Sequence, residues 1–465
     1  MTTPPRIARF ALAFGAIGSL TTAVAPSALA GPADEPKPWV IDSADQWQEF
    51  TAGSTDVSFA DGLAKSVEPA STMSSRVQTY DAPRKPKSIT FSQTTAWNNW
   101  KEVPNVGTPD MADAPVLVPV KPGDYWLLAR HRKFNGEKDG GYHAWHSTDM
   151  KEWTHHGPVC GKRERWVTTA EVVDGVFYIY YDFPNDEDPH LIIDRDLRDG
   201  KMGEDKGMAF NDPSHGSDAG VMREEDGRFH LFYENWDPIN AKTHAWDSPL
   251  AGRAVSPDGI QPFKHANNVV DKRTTPTGKF GEYRHPHGTY KYEIHEPEQN
   301  AYGDWTSIRI GGQYYLFCDY DPVGDHMYVG RWTSDSLEKE YTFCGQFGNG
   351  HPDPTVGFAE GQFYLIQQRA DVDFVSPGPW VGGVEARAGV DTTGDGAVDL
   401  WTGWREVKET YKQKEGFVRL VDRTPATLDV SDLPAGVGFQ FEYRTAPVDG
   451  QTVNVEMDRV EWTFE

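Results

Sequence analysis

The feature that most constrains this chain is a short aromatic strand unit that recurs through its middle. Each copy directly follows a glycine turn, and the copies occupy residues 124–128, 176–180, 228–232, 313–317 and 362–366. Their spacing is roughly fifty residues, which is the length of a four-stranded propeller blade. One longer interval, between the third and fourth copies, requires an insertion. Because long amphipathic helical patterns are nearly absent, the sequence predicts an all-β, five-bladed β-propeller.

The propeller is predicted to occupy residues 111–385, with a second module formed by the segments on either side. Residues 31–110 are expected to hold N-terminal strands and a linker, and residues 386–465 a C-terminal β-rich module. Both segments contain alternating strands, such as residues 88–91 and 438–443. We expect the two segments to pair into one accessory β-sandwich packed against the propeller. Two independent caps are the alternative.

The first thirty residues have the pattern of an export signal. Arg6 and Arg9 precede an apolar run over residues 10–20, and residues 28–30 offer the small-residue cleavage site Ala-Leu-Ala. The run is short and is broken by glycines, which favours a cleaved signal peptide over a transmembrane anchor. The mature chain is therefore expected to be secreted or periplasmic, with no membrane span.

The charge balance excludes several classes of function. The formal net charge is −25, whereas a surface that binds nucleic-acid phosphates needs an excess of Lys and Arg. The same acidity is a poor signal for binding to a membrane surface and is typical of a soluble protein. Three cysteines are too few for a disulfide framework or a cysteine-based zinc site. No organic cofactor is expected, and the sequence indicates no oligomeric state.

Acidic residues recur at one position of the predicted blades, ten to twelve residues before the aromatic centre of the strand unit. They are Asp113, Asp218, Asp304 and Asp353, while blade two has Trp166 near this position. The innermost strands of a propeller line its axis, so their first residues meet at one mouth. We expect the four carboxylates to converge there. The alternative is that they are turn residues, since aspartate is common in turns before strands.

Converging carboxylates are the grouping that glycosidic cleavage needs. One carboxylate activates water on one face of the sugar, and a protonated acid gives a proton to the departing oxygen. Like charges crowded in one site raise the pKa of one member, so that it can hold this proton near neutrality. Flat apolar platforms for the sugar are expected at Trp166, Trp97 and Trp236, although core packing is the commoner role of a tryptophan.

Two segments resemble signatures of a known clan of enzymes. Residues 111–117 read Met-Ala-Asp-Ala-Pro-Val-Leu, and residues 218–229 begin Asp-Ala-Gly-Val-Met-Arg. They are similar to the first- and third-blade motifs of family 43 glycoside hydrolases and of the five-bladed families 32, 62 and 117. The resemblance implies that Asp113 is the catalytic base or nucleophile and that Asp218 tunes the acid and orients the sugar. Ala114 separates Asp113 from its proline, whereas family 43 usually has the two adjacent.

The general acid has three candidates. The resemblance implies a glutamate before the inner strand of blade four, where this chain has Asp304, with Glu296 shortly upstream. Relatives in family 117 are thought to use a fifth-blade histidine, and His351 falls in a comparable place. A histidine titrates close to neutrality and could be poised by Asp353 or Asp304. A histidine hydrogen-bonded in a turn is the alternative for His351.

Further sugar contacts are expected from residues around the mouth: His215, Asp353, Glu296 and Arg130. The insertion that holds Glu296 should lie over the mouth, where loops usually set specificity. Arg130 could recognise sulfate or carboxylate groups on a glycan, or form an ordinary ion pair. The sequence thus predicts a secreted, exo-acting glycoside hydrolase for plant or algal polysaccharides and their oligosaccharides, inverting by resemblance to families 43 and 117. A non-catalytic, lectin-like propeller is the alternative.

Residues 391–399, Asp-Thr-Thr-Gly-Asp-Gly-Ala-Val-Asp, form a candidate calcium loop. Asp391, Thr393, Asp395 and Asp399 place oxygen side chains at positions one, three, five and nine, with a glycine at position six for the turn. The loop resembles those of dockerin and thrombospondin repeats, although Thr402 stands where a glutamate is usual. We expect a structural calcium ion here, with a plain Asp-Gly turn as the alternative.

Overall fold

The computed structural model describes residues 36–465 with gaps. The gaps are residues 61, 69, 95–99, 104–106, 133–139, 162–164, 184–187, 212–213, 215–217, 236–249, 273–274, 286–287, 297–300, 322–327, 348–352, 369–371, 378–383 and 446–454. The predicted export signal, residues 1–30, lies outside the described residues. Within the described ranges, no helix has the length and apolar character needed to span a membrane.

The N-terminal segment forms one short helix and several strands. They are β1 (Trp39–Ile41), α1 (Ala44–Phe50), β2 (Thr51–Thr55), β3 (Val57–Ala60), β4 (Leu63–Ser66), β5 (Thr72–Ser75), β6 (Gln78–Arg84) and β7 (Pro86–Thr94). The helix begins where the side chain of Ser43 accepts a hydrogen bond from the backbone N–H of Gln46. This cap satisfies one of the free donors of the first turn.

The strands that follow belong to the propeller. They are β8 (Trp100–Val103), β9 (Met111–Lys121), β10 (Asp124–His131), β11 (Tyr142–Ser147), β12 (Thr154–Cys160), β13 (Trp166–Val173), β14 (Val176–Asp182), β15 (Pro189–Asp194), β16 (Glu204–Met208), β17 (Gly220–Arg223), β18 (Phe229–Glu234), β19 (Leu250–Ser256), β20 (Lys264–Asp271), β21 (Thr275–His285), β22 (Gly288–Glu296), β23 (Ala301–Ile310), β24 (Gln313–Asp321), β25 (Tyr328–Ser334), β26 (Thr342–Phe347), β27 (Thr355–Ala359), β28 (Gln362–Gln368) and β29 (Val372–Pro377). The blades are β9–β12, β13–β16, β17–β20, β23–β26 and β27–β29 with β8. The pair β21–β22 is a hairpin inserted between blades three and four.

The five inner strands close into a ring. β9, β13, β17, β23 and β27 each lie against the next, and β27 lies against β9. Threonine hydroxyls cross the seams between them. Thr169 Oγ1 accepts a hydrogen bond from Val221 N at 3.1 Å, and Thr355 Oγ1 accepts one from Leu117 N at 3.2 Å. The prediction of an all-β, five-bladed propeller is confirmed.

One strand joins a different module from the one predicted. β8 was expected among the N-terminal strands and linker, but it pairs with β29 as the outermost strand of blade five. Without this partner, β29 would present a row of unpaired backbone groups at the edge of its blade. A strand that precedes blade one in the sequence therefore completes blade five and closes the ring of blades.

The C-terminal segment supplies the remaining strands. They are β30 (Val384–Asp391), β31 (Leu400–Trp401), β32 (Arg405–Glu406), β33 (Thr410–Gln413), β34 (Leu420–Thr424), β35 (Ala426–Asp429), β36 (Gly436–Thr445) and β37 (Glu456–Phe464). One sheet has the order β3-β4-β37-β7-β35, with β1 beside β37. A second has the order β2-β5-β36-β30-β31, with β6 beside β36 and β32 beside β30. Both sheets therefore mix strands from the two ends of the chain.

The two mixed sheets pack face to face around an aromatic core. Trp39 stacks on Trp462 with 6.0 Å between ring centres, and its ring centre lies 5.7 Å from that of Phe441 in the other sheet. Phe91 also meets Phe441, at 5.9 Å. Large buried rings of this kind contribute much of the stabilisation of a core. The predicted accessory β-sandwich, built from both chain ends, is confirmed.

The hairpin of β33 and β34 leaves the sandwich and enters the propeller. β34 pairs in parallel with the inner strand β23, with Arg309 opposite Leu420 and Ile310 opposite Val421. This hairpin therefore extends the sheet of blade four toward the axis, although the sequence placed all of residues 386–465 in one C-terminal module. The reason is apolar burial, since Leu420 and Val421 are buried in propeller cores.

Candidate active site

The first residues of the five inner strands surround one cavity of about 230 Å³. We call it the axial cavity. Every blade contributes to its wall, and the lining residues in blade order are Ala114, Pro115 and Val116; Trp166, Val167 and Thr168; Asp218; Asp304 and Trp305; and Asp353, Pro354 and Thr355. Three of the four carboxylates singled out in the sequence, those of blades three, four and five, therefore share one cavity.

The three cavity carboxylates have the same unusual backbone conformation. Asp218, Asp304 and Asp353 have φ angles of 51°, 50° and 58°, in the left-handed region that residues other than glycine seldom adopt. Ala114 has a φ angle of 38° at the equivalent place in blade one. Each such residue costs on the order of 1–3 kcal/mol, and strain of this kind clusters at functional sites. Aspartate tolerates the left-handed region better than most residues, which suits it to this repeated turn.

Buried carboxylates in the preceding blades hold two of these turns. Asp182, at the end of β14, accepts a hydrogen bond from Asp218 N at 3.0 Å, and Asp319, in β24, accepts one from Asp353 N at 2.9 Å. Both acceptors are buried, so each fixes the backbone of a cavity carboxylate in the next blade. Sequence reasoning missed them. The available signal was an acidic residue five places after the aromatic centre in blades two, three and four: Asp182, Glu234 and Asp319.

Blades three and four meet tightly beside the cavity. Trp305 N donates a hydrogen bond to Asp218 O at 2.9 Å. A Cβ atom on Gly220 would lie only 2.4 Å from Trp305 O, which is far inside van der Waals contact, so only glycine fits there. The Asp-Ala-Gly sequence of blade three thus combines a cavity carboxylate with the residue that lets blade four approach.

Asp319 also belongs to an acidic cluster beside the cavity. Carboxylate oxygens of Asp304, Asp319 and Asp353 lie within 4.8 Å of one another. Crowding of carboxyl groups is one way in which a protein can keep one of them protonated. A positioned carboxyl group that carries a proton is what general acid catalysis requires.

Trp166, which the sequence indicated as a sugar platform, lines the cavity in blade two. The guanidinium carbon of Arg130 lies 3.5 Å from the centre of the Trp166 ring, and Arg130 Nη2 donates to Arg165 O at 3.3 Å. Arg130 is buried, at 4% exposure. It covers one face of the tryptophan by cation–π stacking, while the tryptophan also lines the cavity.

Several predicted site residues fall outside what the structure describes. Asp113 lies in β9 directly before Ala114, but its side chain is not among the described atoms. Glu296 is the last residue of β22, and the same holds for its side chain. Four further residues lie in the gaps of the described chain: Trp97, His215, Trp236 and His351. The roles of all six stay predictions.

In the candidate calcium loop, side chains form hydrogen bonds with the backbone of the loop itself. The carboxylate of Asp391 accepts hydrogen bonds from Gly394 N at 2.6 Å and from Gly396 N at 2.9 Å. The Thr392 hydroxyl donates to Asp399 and lowers the pKa of that carboxyl group, which keeps it ionised as a calcium ligand must be. Across the described chain, only the acidic cluster beside the cavity groups three carboxylates within 4.8 Å. Calcium binding at residues 391–399 therefore stays a prediction.

Comparison with known proteins gives matches only at the level of three-dimensional structure. No family model and no curated protein sequence matches the chain. An exo-1,5-alpha-L-arabinanase from a bovine ruminal metagenomic library is 17% identical, with a TM-score of 0.39, and the match covers 57% of this chain and 92% of that chain. An endo-arabinase from Bacteroides thetaiotaomicron is 10% identical, with a TM-score of 0.42 and coverage of 59% and 96%.

An alpha-L-arabinofuranosidase from Podospora anserina, in complex with cellotriose, is 12% identical. Its TM-score is 0.40, and the match covers 61% of this chain and 98% of that chain. Because the identities and TM-scores of all three structures are low, these likenesses do not establish a function for this chain.

Proposed function

We propose that this protein is a secreted glycoside hydrolase that removes terminal sugars from plant or algal polysaccharides and their oligosaccharides. The observation that carries the proposal is the meeting of Asp218, Asp304 and Asp353 in one cavity. Three blades that are far apart in the sequence deliver these carboxylates, each from the same left-handed turn. Carboxyl groups placed around one glycosidic bond are what hydrolysis of that bond requires.

In the proposed reaction, Asp113 removes a proton from water while the water oxygen attacks the anomeric carbon. The bond from that carbon to the glycosidic oxygen breaks, and the general acid gives this oxygen a proton, so that both products leave with hydroxyl groups. Asp304, His351 and Glu296 are the candidate acids, and Asp218 orients the sugar and the acid. A single displacement of this kind inverts the anomeric configuration.

The size of the axial cavity supports the removal of one terminal residue at a time. Its volume of about 230 Å³ is below the range of roughly 300–1,000 Å³ that is usual for pockets that hold drug-sized ligands. A single monosaccharide ring suits a site of this size. The wall at Trp166 offers an apolar surface against which one face of the ring can pack.

The proposal is tested by incubating the purified protein with arabino-, xylo- and red-algal galacto-oligosaccharides and measuring reducing-sugar release. We expect terminal monosaccharides to be released from at least one of them. The variant Asp113→Asn should lose this release while its melting temperature stays unchanged. Retained hydrolysis in Asp113→Asn would contradict the assignment of the base. Tight oligosaccharide binding without release would favour a lectin-like propeller instead.

The identity of the general acid is tested with leaving groups of different basicity. An aryl glycoside with an acidic phenol departs without much help from a proton donor, whereas a sugar alcohol needs one. The variant of the true acid should therefore retain turnover of the aryl glycoside and lose turnover of the oligosaccharide. Comparing Asp304→Asn, His351→Asn and Glu296→Gln in this way separates the three candidates. Asp304 is favoured because it lines the cavity and belongs to the acidic cluster.

Two further proposals concern regions outside the cavity. Residues 1–30 direct export, so that a bacterial host should release a mature protein that begins near Gly31. The loop at residues 391–399 binds a structural calcium ion, so that a chelator should lower the melting temperature and added calcium should restore it. The variant Asp399→Asn should no longer respond to calcium, and an unchanged response would assign the effect to another site.

A further inference from the structure

The end of the propeller axis opposite the cavity is occupied by residues 413–419 of the β33–β34 hairpin, which we call the plug. Its hydrogen bonds reach all five blades. In blade order, the contacts are Gln413 Nε2 to Pro119 O, Val418 N to Glu171 Oε1, Arg223 Nη2 to Gly416 O, Arg309 N to Arg419 O, and Arg419 Nη1 to Val356 O. Seven consecutive residues thus tie together strands that come from five separate blades.

The plug and the cavity lie at opposite ends of the same strands. Within β23, Asp304 lines the cavity, while Arg309, five residues later, bonds to the plug. The two residues therefore lie at different levels along the axis. The same order holds in blade three, where Asp218 precedes β17 and Arg223, the last residue of that strand, bonds to the plug. The plug therefore fills the axis from the side that the sugar does not enter.

Arg419 reaches from the plug back toward the cavity. Its Nη1 donates to Val356 O at 3.1 Å and its Nη2 donates to Thr169 Oγ1 at 3.4 Å. Val356 and Thr169 each directly follow a residue of the cavity wall, Thr355 and Thr168. In blades two and five, the guanidinium group therefore bonds to the residue that follows the cavity wall in the inner strand. The Thr169 hydroxyl also accepts from the inner strand of blade three, so a third blade is held through it.

The charge on Arg419 is buried, and the acidic side chain of Glu171 lies near it. Arg419 is 1% exposed, and Glu171 is fully buried. Burial lowers the pKa of Arg419 to about 10, and the nearby Glu171 opposes this shift, so the guanidinium stays charged at neutral pH. Burying a charged side chain costs free energy unless hydrogen bonds compensate for it. The hydrogen bonds from Arg419 to the inner strands of blades two and five therefore hold the guanidinium group where it lies.

The accessory sandwich holds the plug in place through a second buried ion pair. Glu409, directly before β33, has a fully buried side chain and lies 2.7 Å from Arg423 of β34. Glu409 also accepts a hydrogen bond from the backbone of Gln93 in β7, and Arg423 lies 3.6 Å from Asp458 in β37. The base of the hairpin is thus anchored on two sandwich strands while its tip enters the propeller.

We propose that Arg419 is a positioning residue for the hydrolase, which holds the inner strands of blades two and five so that the cavity carboxylates keep their relative placement. The inference rests on the proposed function and goes beyond it. If Arg419 has this role, the accessory sandwich contributes to catalysis, because it anchors the hairpin that carries Arg419 into the propeller. The sandwich is then needed for turnover even where the sugar touches only the propeller.

The informative variant replaces Arg419 and its acidic neighbour Glu171 together. Removing Arg419 alone would leave Glu171 buried without the nearby positive charge and could prevent folding, whereas Glu171→Gln/Arg419→Met removes both ionisable groups and keeps the side-chain volumes similar. We expect kcat to fall about 100-fold, as a displacement of reacting groups by about 1 Å can cause. KM should stay within about threefold, because the residues that line the cavity are unchanged. Arg419→Lys, which keeps the charge but not the paired hydrogen bonds, should lie in between, about tenfold below the wild type.

A matched control separates positioning from general destabilisation. Leu428→Ala removes a buried side chain from the sandwich core, so it should lower the melting temperature without a change in kcat. Hydrogen–deuterium exchange supplies a readout that needs no activity. Residues 167–173 and 353–359 should exchange faster in the double variant than in either the wild type or Leu428→Ala.

Either of two results would overturn the inference: unchanged exchange in those two segments, or wild-type kcat in a folded double variant. If the wild-type protein hydrolyses no glycan, the proposed function fails, and the exchange comparison still decides whether Arg419 holds the inner strands.

Discussion

The two ends of the propeller axis differ sharply, although the same five strands build both. At the open end, three of the five strands begin with a carboxylate in a left-handed turn, and these carboxylates share one cavity. At the filled end, the strands bond to a plug whose buried Arg419 lies near Glu171. One end gathers like charges and strained backbone, while the other holds a buried arginine and hydrogen-bonded strands. The comparison indicates that the filled end fixes the ring so that the open end can keep an arrangement that is unfavourable by itself.

The largest effect on kcat should come from comparing the same Asp→Asn substitution on either side of a single strand, β17. Asp218 precedes β17 at the cavity, and Asp226 follows it in an exposed turn at the other end of the axis. Asp218→Asn should lower kcat about 1,000-fold, because the general acid would no longer be oriented and the loss of general acid catalysis costs about 100- to 10,000-fold. Asp226→Asn should leave kcat near the wild-type value. Initial rates on the identified substrate measure both, and equal losses would break the comparison between the two ends.

At the base of the hairpin that forms the filled end, a substitution should lower stability. Glu409→Ala leaves the charge of Arg423 largely uncompensated beside the sandwich, so the free energy of unfolding should fall by about 3 kcal/mol. The exposed Glu415, in the plug itself, offers a control, since Glu415→Ala should change this free energy by less than about 0.5 kcal/mol. Chemical denaturation of the two variants measures the difference. A loss from Glu409→Ala as small as that from the control would show that this ion pair does not anchor the hairpin.

The body of the blades, between the two ends, should make stability sensitive to acid without affecting catalysis. Burial, together with the positive charge of Arg253, lowers the pKa of His230 to about 3. The unfolded chain binds a proton on this histidine below about pH 6.5, whereas the folded chain does so only near pH 3. Since the unfolded state holds more protons in this window, the contribution of His230 to stability is lost as the pH falls from about 6.5.

The variant His230→Gln should remove this contribution. Between pH 6 and pH 4, its free energy of unfolding should depend on pH less steeply than that of the wild type, by up to about 1.4 kcal/mol per pH unit. Denaturation curves at several pH values measure the two slopes. The pH profile of kcat should be the same in both proteins. Parallel stability curves would contradict the assignment, and a shifted kcat profile would mean that the blade body and the open end are coupled.

The smallest effect concerns the backbone strain at the open end. Ala114 has a left-handed backbone, so Ala114→Gly should relieve strain and raise the free energy of unfolding by about 0.5 kcal/mol. Two residues earlier, Ala112 lies in the paired part of β9 opposite Arg130, and Ala112→Gly should instead lower this free energy by about 0.5–1 kcal/mol. Thermal or chemical denaturation measures the signs. The same sign for both would mean that the turn stores no strain.

The two ends also differ in how far the sequence predicts them. Asp218, Asp304 and Asp353 lie at nearly equal distances before the repeated aromatic strand. The repeat in the sequence therefore predicts that they occupy equivalent positions in their blades. Asp182 and Asp319 lie five residues after the aromatic centres of their own blades, so the same repeat also marks their positions. By contrast, Arg419 bonds to Val356 and Thr169, which are far from it in the chain.

No period links such distant residues, because the contact arises only when the sandwich docks on the propeller. The pairing of β8 with β29 is hidden in the same way. Local repeats therefore predicted the blades and the open end, while the filled end depends on tertiary packing between modules that a single sequence does not reveal.

The central claim is that separate blades deliver their carboxylates to one sugar-sized cavity where the chemistry occurs. A crystal structure of Asp113→Asn with a bound oligosaccharide tests this claim most directly. We predict that the terminal ring lies in the axial cavity against Trp166, with oxygens of Asp218 and of Asp304 or Asp353 within about 3.0 Å of its hydroxyl or glycosidic oxygens. A sugar bound on the accessory sandwich or on an outer blade strand, with the axial cavity left empty, would contradict the account.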